Sequence, residues 1–347
     1  MIDLRSDTKT RPTPEMRAAI AAAEVGDEQR REDPTVNELE RRAAEVLGQE
    51  EAVFVPTATM ANEIALRVHG VPGDEVIAEE NSHIFVSELG GPAVHAGLMT
   101  RPIRCPNGRF TPEQIRETVR GGDNTHTPAT RIVSVENTHN ASGGRVWPLD
   151  ELEPVVRTGR ELELRLHLDG ARVLNAAVAL GVPAAEIGAR FDTVTLCLSK
   201  GLGCPLGALV AGSPQLMVKA RRLKHLFGGA MRQAGIVAAA GVYALEHNVD
   251  RLAEDHARAR RLGEGLYDAG VPVQLEQVET NFVQVDVGPL GLSTEDALER
   301  LAQQGVGLSM TVHPTRLRAV THLDVDDEDI DRAIELIPRA LGALARA

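Results

Sequence analysis

Between about residues 35 and 245, short hydrophobic runs alternate with stretches whose apolar positions recur at helical spacing, which narrows the chain to an α/β fold. Strands are expected over residues 52–55, 75–78, 131–135, 162–168, 193–198 and 208–211. Helices are expected over 35–47 behind Pro34, and over 60–68, 149–158 and 172–180. Such an order implies a mostly parallel central sheet with helices on both faces, and functional residues at the strand ends. After Gly235 the texture changes. Residues 236–266 are alanine-rich, charged and helical, with a soft break at His247-Asn248. A compact α+β pattern follows, with strands at 271–275, 282–285, 307–310 and 317–320 and helices at 294–303 and 327–344. The expected division is a large unit over residues 1–245, with an N-terminal arm, and a smaller one over 246–347.

Two of the hydrophobic runs end on a single charge. Leu168-Asp169-Gly170-Ala171-Arg172 places an acid at a strand exit, and Leu196-Cys197-Leu198-Ser199-Lys200-Gly201 delivers a lysine into a glycine-rich turn. Taken alone, Asp169 would read as a helix cap and Lys200 as a solvated turn residue. An ammonium at the edge of a core must find an anion or act as a neutral amine, and an aldehyde cofactor would resolve its cost. The pair in this order therefore suggests pyridoxal phosphate: the lysine forms an imine with the aldehyde, and the upstream carboxylate keeps the pyridine nitrogen protonated.

Composition restricts the remaining classes. With 43% hydrophobic residues in 347, the chain can bury a large core, and a net charge of −13 without a basic block argues against nucleic acid or an anionic membrane as partner. Cys105, Cys197 and Cys204 have neither disulfide-framework nor zinc spacing, which fits a reducing cytoplasm. No apolar run approaches the roughly 18 residues of a membrane span, and the opening Met1-Ile2-Asp3-Leu4-Arg5 is too charged for a signal peptide. Gly201-Leu202-Gly203-Cys204-Pro205-Leu206-Gly207 fails as a dinucleotide loop, because the third glycine is displaced by one and a proline replaces a donor.

A set of ordered motifs runs nearly end to end: Leu4-Arg5-Ser6-Asp7-Thr8, Glu32-Asp33-Pro34-Thr35, Ser82-His83, Glu136-Asn137-Thr138-His139-Asn140, His167-Leu168-Asp169-Gly170-Ala171-Arg172, Leu198-Ser199-Lys200-Gly201-Leu202, Met231-Arg232-Gln233 and Val320-Thr321-His322. Together they resemble the threonine aldolases, the low-specificity L-threonine/L-allo-threonine type, within the β-eliminating lyase group of fold-type-I pyridoxal phosphate enzymes. The resemblance implies an aspartate aminotransferase-like large domain and a small C-terminal domain. It implies Lys200 as the Schiff-base lysine, Asp169 as partner of the pyridine nitrogen, and His83 stacked on the cofactor near the substrate hydroxyl. Thr57-Ala58-Thr59, at a helix start, and Arg232, across a subunit interface, would hold the phosphate. Arg172, Arg318 and Ser6 would fix the substrate carboxylate, Arg172 also lying against the cofactor.

The implied reaction is cleavage of a β-hydroxy-α-amino acid to glycine and an aldehyde, with His83 as first candidate for the base and His126 as second. The implied assembly is a dimer or homotetramer with shared sites. Alternatives are a lyase or racemase using the same cofactor on another amino acid, or a non-catalytic binding protein of this fold. The chain departs from the family pattern at Ala58, where glycine is usual, and at Arg30, where tyrosine is usual. No ligand cluster for a structural ion can be placed from the sequence.

Overall fold

The computed structural model describes residues 1–122 and 124–343. The chain starts with a two-residue strand, β1 (Ile2–Asp3), and then supplies a seven-stranded sheet. Its members are β2 (Glu51–Val55), β3 (Glu75–Glu79), β4 (Met99–Ile103), β5 (Thr130–Glu136), β6 (Arg165–Asp169), β7 (Thr193–Cys197) and β8 (Ala208–Gly212), in spatial order 2-8-7-6-5-3-4. Pairs 3-4, 3-5, 5-6 and 6-7 are parallel, whereas β8 runs antiparallel to both β2 and β7. β3, β7 and β8 are buried along their whole length, as a sheet covered on both faces requires.

Local chemistry sets the covering helices. Pro34–Leu47 starts on a proline whose missing N–H is not needed there. Asp33 caps it by accepting the Val36 N–H, and Gly48 ends it in the left-handed region. The Asp33 carboxylate also accepts the N–H of Gly235, which joins this helix to Gly235–His247. The expected strand at 162–168 begins three residues late, at Arg165. Leu162 closes the preceding helix, and Glu163 turns the chain with φ 56°.

The C-terminal sheet orders β11 (Ser309–Met310), β12 (Arg316–Val320) and β9 (Phe282–Asp286), all antiparallel. The expected strand at 307–310 is split. β10 (Val306–Gly307) pairs in parallel with β1 of the N-terminal arm, while β11 turns to β12. Residues 271–275 form only one bridge, Val273 to Val285, before a 3-10 turn. The last helix covers Asp327–Leu341, and Leu344 lies outside the described residues. The main apolar core on the large sheet gathers around Phe54, Trp147, Leu168 and Leu196, with smaller clusters around Val53 and Ile64 and around Val76 and Ile132. A separate core surrounds Leu262, Val285 and Ile330 and takes in Ile2 and Leu4 of the arm.

Candidate active site

Three central parallel strands end side by side, with Glu136 of β5 opposite Asp169 of β6, and Asp169 opposite Thr195 of β7. The next residue after β6 must be glycine, since a Cβ on Gly170 would lie 2.4 Å from the Thr195 carbonyl oxygen. Asp169 is buried. Its Oδ1 accepts the Ala171 N–H at 3.1 Å in the turn before the helix Val173–Leu180, whose N-cap is Arg172, so Asp169 does not cap that helix; its Oδ2 accepts Nδ2–H of Asn62 at 2.9 Å. Burial opposes its charge, but His83, Lys200 and the Ala171 N–H together hold the carboxyl below the ordinary aspartate value.

Asn62 lies on the helix Ala58–His69, and its orientation is forced. Its NH2 group faces Asp169 Oδ2 and Glu88 Oε1, each at 2.9 Å, and ionised carboxylates only accept. Its Oδ1 accepts the Thr195 hydroxyl at 2.9 Å and faces Nε2 of the buried His167 at 3.3 Å. Burial pushes His167 down to about 4, which keeps that imidazole neutral.

His83 opens the one-turn helix His83–Val86, where its backbone N–H donates to Glu136 Oε2 at 2.7 Å. Its Nδ1 stands 2.7 Å from Glu88 Oε1, so Nδ1 carries the proton and Nε2 is left for other partners. Burial works against its charge, yet Glu88, Asp169 and Glu136 outweigh that and raise its pKa. His83, Glu88 and Asp169 are the described residues whose ligand atoms cluster within 4.8 Å. The short His83–Glu88 bond and the Asn62 amide between the two carboxylates make this a hydrogen-bonded network.

Lys200 follows β7 by three residues, and its carbonyl accepts the Thr10 hydroxyl at 2.8 Å and the Gly203 N–H at 2.9 Å. Its ammonium bears on both Asp7 and Asp169. Arg172 is brought to the same place, but its Nε and Nη2 donate to the two oxygens of buried Asp7 at 2.6 and 2.7 Å. Arg318 of β12 donates from Nη1 to Asn140 Oδ1 at 2.6 Å and from Nε to Ser309 Oγ at 3.1 Å. Both guanidiniums lie over the Phe282 ring, at 4.9 and 5.4 Å. Among the described residues Arg318 has no carboxylate within ion-pair distance, and burial next to the Arg172 charge pushes it down to about 10. It lines a cavity of about 250 Å³ with Ser87, Asn140, Met310 and Val312. Ser6 follows Arg5, whose carbonyl accepts the Ser309 hydroxyl, and its own Oγ accepts from Thr8.

Thr57 caps the helix Ala58–His69 through Oγ1, 3.2 Å from the Met60 N–H, and both Thr57 and Thr59 are exposed at its mouth. Ala58 is the first helical residue, not a left-handed one, so this turn has no need of glycine. Gly229 packs on Met60 and Pro56, which brings the 228–233 segment beside that mouth. Arg232 itself is 61% exposed and pairs with Asp27 at 2.9 Å. Arg30 is 75% exposed and 3.9 Å from the same Asp27. His126 is exposed in a turn, its backbone N–H on Asn124 Oδ1, apart from the His83 network; Asp123 of that loop lies outside the described residues.

The chemistry of these donors fits pyridoxal phosphate. The site offers an amine for an aldehyde at Lys200, and a buried anionic carboxylate for a pyridinium at Asp169. A flat imidazole for the ring stands at His83, and the N-terminus of a twelve-residue helix can receive the phosphate. Asn62 and Glu88 complete the site without any mark in the sequence pattern beyond being polar, while Asp7 and Glu136 lie in motifs that gave them no role of their own.

Comparison with known proteins agrees. The low specificity L-threonine aldolase of Escherichia coli (strain K12) is 41% identical over 332 residues, covering 95% of this chain and 96% of that protein. The Leishmania major threonine aldolase structure covers 98% of this chain and 99% of its own, with a TM-score of 0.83 at 21% identity. A Thermus thermophilus aspartate aminotransferase superposes with a TM-score of 0.72 at 17% identity, covering 98% of this chain and 91% of its own, so the fold is aspartate aminotransferase-like. The family model for the beta-eliminating lyases matches residues 3–288, and with these relatives it establishes that the chain belongs to the beta-eliminating lyase family, in its threonine aldolase branch.

Proposed function

We propose that the protein cleaves L-threonine, L-allo-threonine and related β-hydroxy-α-amino acids to glycine and an aldehyde, with pyridoxal phosphate as cofactor. The observation that carries this reading is Arg318, a half-buried arginine that among the described residues has no carboxylate within ion-pair distance, near the Arg172–Asp7 pair and lining a small cavity. An amino-acid carboxylate supplies the missing charge in a bidentate bond. When bound, pyridoxal phosphate supplies the electron sink that takes up the Cα–Cβ bonding pair.

The chain's residues do the rest. Lys200 offers the amine that bonds the aldehyde carbon. Asp169, pinned by Asn62 and the Ala171 N–H, holds the proton on the pyridine nitrogen. Thr57, Ala58 and Thr59 receive the phosphate, with Arg232 contributed by a neighbouring subunit. Arg318 and Ser6 hold the carboxylate, and Arg172, tied to Asp7, supports the same face with its remaining edge. His83, its Nδ1 bound to Glu88, takes the β-hydroxyl proton at Nε2. His126 acts in a secondary role, through water. Fixing the carboxylate and the hydroxyl orients the breaking bond across the ring plane, and this selects cleavage over racemisation.

The same reading includes a homotetramer with shared sites, a cytoplasmic location, and a division near residue 245. Support comes from the exposed apolar side chains of Val86, Leu89 and Val94, from three free cysteines, and from a C-terminal apolar core separate from those of the large sheet. No helix among the described residues is long and apolar enough to cross a membrane. The test is an absorption spectrum of the cofactor-supplied protein and of Lys200→Ala, then titration with L-threonine and L-allo-threonine while glycine and acetaldehyde are assayed. A visible-edge band lost in the variant, with both products released by the wild type, is expected. A band without cleavage would move the function to elimination or racemisation, and no band would refute the reading.

A further inference from the structure

Beside the His83 network lies a second buried carboxyl that the mechanism does not use. Glu63 follows Asn62 on the helix Ala58–His69, is 2% exposed, and has neither oxygen within reach of a hydrogen-bond donor. It faces Glu88, whose Oε2 is likewise buried and without a donor. Gly91 makes room for it, since a Cβ there would stand 1.9 Å from Glu63 Oε1. The facing oxygens, both of Glu63 and Oε2 of Glu88, accept from nothing, and two ionised carboxylates there would repel each other, so the missing partner is a proton held between them.

The neighbours say which residue owns that proton. Glu88 Oε1 already accepts from Asn62 Nδ2 and from His83 Nδ1, both of which favour the ionised form. Glu63 has only Glu88. We propose that Glu63 is a neutral carboxylic acid whose O–H donates to Glu88 Oε2, making it a positioning residue that fixes Glu88 as the acceptor for His83 Nδ1. The chain Glu63–H, Glu88⁻, His83 Nδ1–H is then continuous, and Asn62 joins it to Asp169. Burial and Glu88 push the Glu63 carboxyl up to about 9, in keeping with a proton held at neutral pH.

The O–H donor also tempers Glu88. Without it the Glu88 carboxylate becomes more basic and binds the proton it shares with His83 more tightly, so His83 reaches its working form at higher pH. The charged groups bearing on His83 are Glu88, Asp169 and Glu136, and Glu88 alone bears on Glu63.

This role rests on the proposed function, and the test separates the two. For the holoenzyme, the pH dependence of kcat/KM for L-threonine cleavage is measured in wild type, Glu63→Leu and Glu63→Gln. Glu63→Leu is expected to move the acid limb upward by about one pH unit, the loss of one buried charge-assisted hydrogen bond. Glu63→Gln, a neutral donor of similar shape, is expected to restore the wild-type limb. An unmoved limb in Glu63→Leu, or an equal movement in Glu63→Gln, would overturn the assignment. Infrared difference spectra of wild type against Glu63→Gln at pH 8 provide a readout independent of turnover. A protonated-carboxyl band in the wild type that shifts in D2O supports the assignment, and its absence overturns it. Wild type that does not cleave threonine but shows the band counts against the proposed function and leaves the neutral acid standing.

Discussion

Replacing Glu63 by glutamine is expected to stabilise the protein, by an amount that grows with pH. Burial beside Glu88 holds the folded-state carboxyl up at about 9, against an ordinary 4.5. The unfolded chain therefore sheds this proton above pH 4.5, while the folded chain keeps it until about pH 9. The stability linked to Glu63 is fully present below pH 4.5 and is lost progressively as pH rises through that window. Each pH unit inside it costs about 1.4 kcal/mol, so at pH 7 wild type is penalised by about 3 kcal/mol. Glutamine does not titrate and still donates to Glu88. With an unfolding entropy of roughly 0.7 kcal/mol per kelvin for a chain of this size, the variant's Tm should exceed wild type by about 4 °C at pH 7. The two should converge near pH 4.5. The assay is urea and thermal unfolding of both proteins from pH 4.5 to 8.5, at fixed protein and saturating cofactor. A stability difference that does not change with pH, or a glutamine variant that falls below wild type as pH rises, would refute the reasoning.

Other substitutions probe the rest of the site. Asp7→Asn leaves the Arg172 guanidinium buried without its anion and should cost about 3–5 kcal/mol at pH 7 by urea unfolding. Although burial opposes it, Arg172 holds the Asp7 carboxyl well below the usual range, so its stabilisation is present above about pH 4 and fades in acid. The gap between variant and wild type should therefore narrow as pH falls below 4. Glu28→Ala strands buried Lys224 and should lower stability by about 3 kcal/mol, most of it recovered in Glu28→Ala with Lys224→Met; a single variant as stable as wild type would contradict this. Arg318→Leu should raise KM for L-threonine by about 100-fold while the cofactor band stays in place, and an unchanged KM would remove Arg318 from substrate binding.

The parts of this architecture visible in the sequence were those that repeat. Asp169 and Lys200 stood out because each ends a hydrophobic run, and the structure places both at the ends of adjacent strands. The helix expected at 35–47 announced itself through Pro34, and the structure adds Asp33 as its cap and Gly48 as its end. Asn62, Glu63 and Glu88 gave no such signal. They are single polar residues, and their meaning comes from partners such as Asp169, 107 positions from Asn62. Asp7 lay within a quoted motif, yet its bond to Arg172 spans 165 positions and is invisible locally. Residues 307–310 read as one strand because alternation cannot tell which neighbour each half will pair with. His126 and Arg232 carried the right chemistry by type, and in the folded chain each is exposed, His126 with its backbone N–H on nearby Asn124 and Arg232 paired with Asp27, 205 positions away.

The N-terminal arm has a consequence for how the molecule is made. Ile2 donates to Gly305, Val320 donates to Leu4, Asp3 accepts from His322, and Thr10 bonds the carbonyl of Lys200. Residues that leave the ribosome first thus find their places only after the strands near position 320 have emerged. Asp7 must wait as a hydrated carboxylate while Arg172 waits without a partner. Closure of this chain's own side of the pocket therefore waits on one of the longest loops the chain has to close, and a nascent or truncated polypeptide lacking the last strands would keep the lysine strand and yet hold an open pocket.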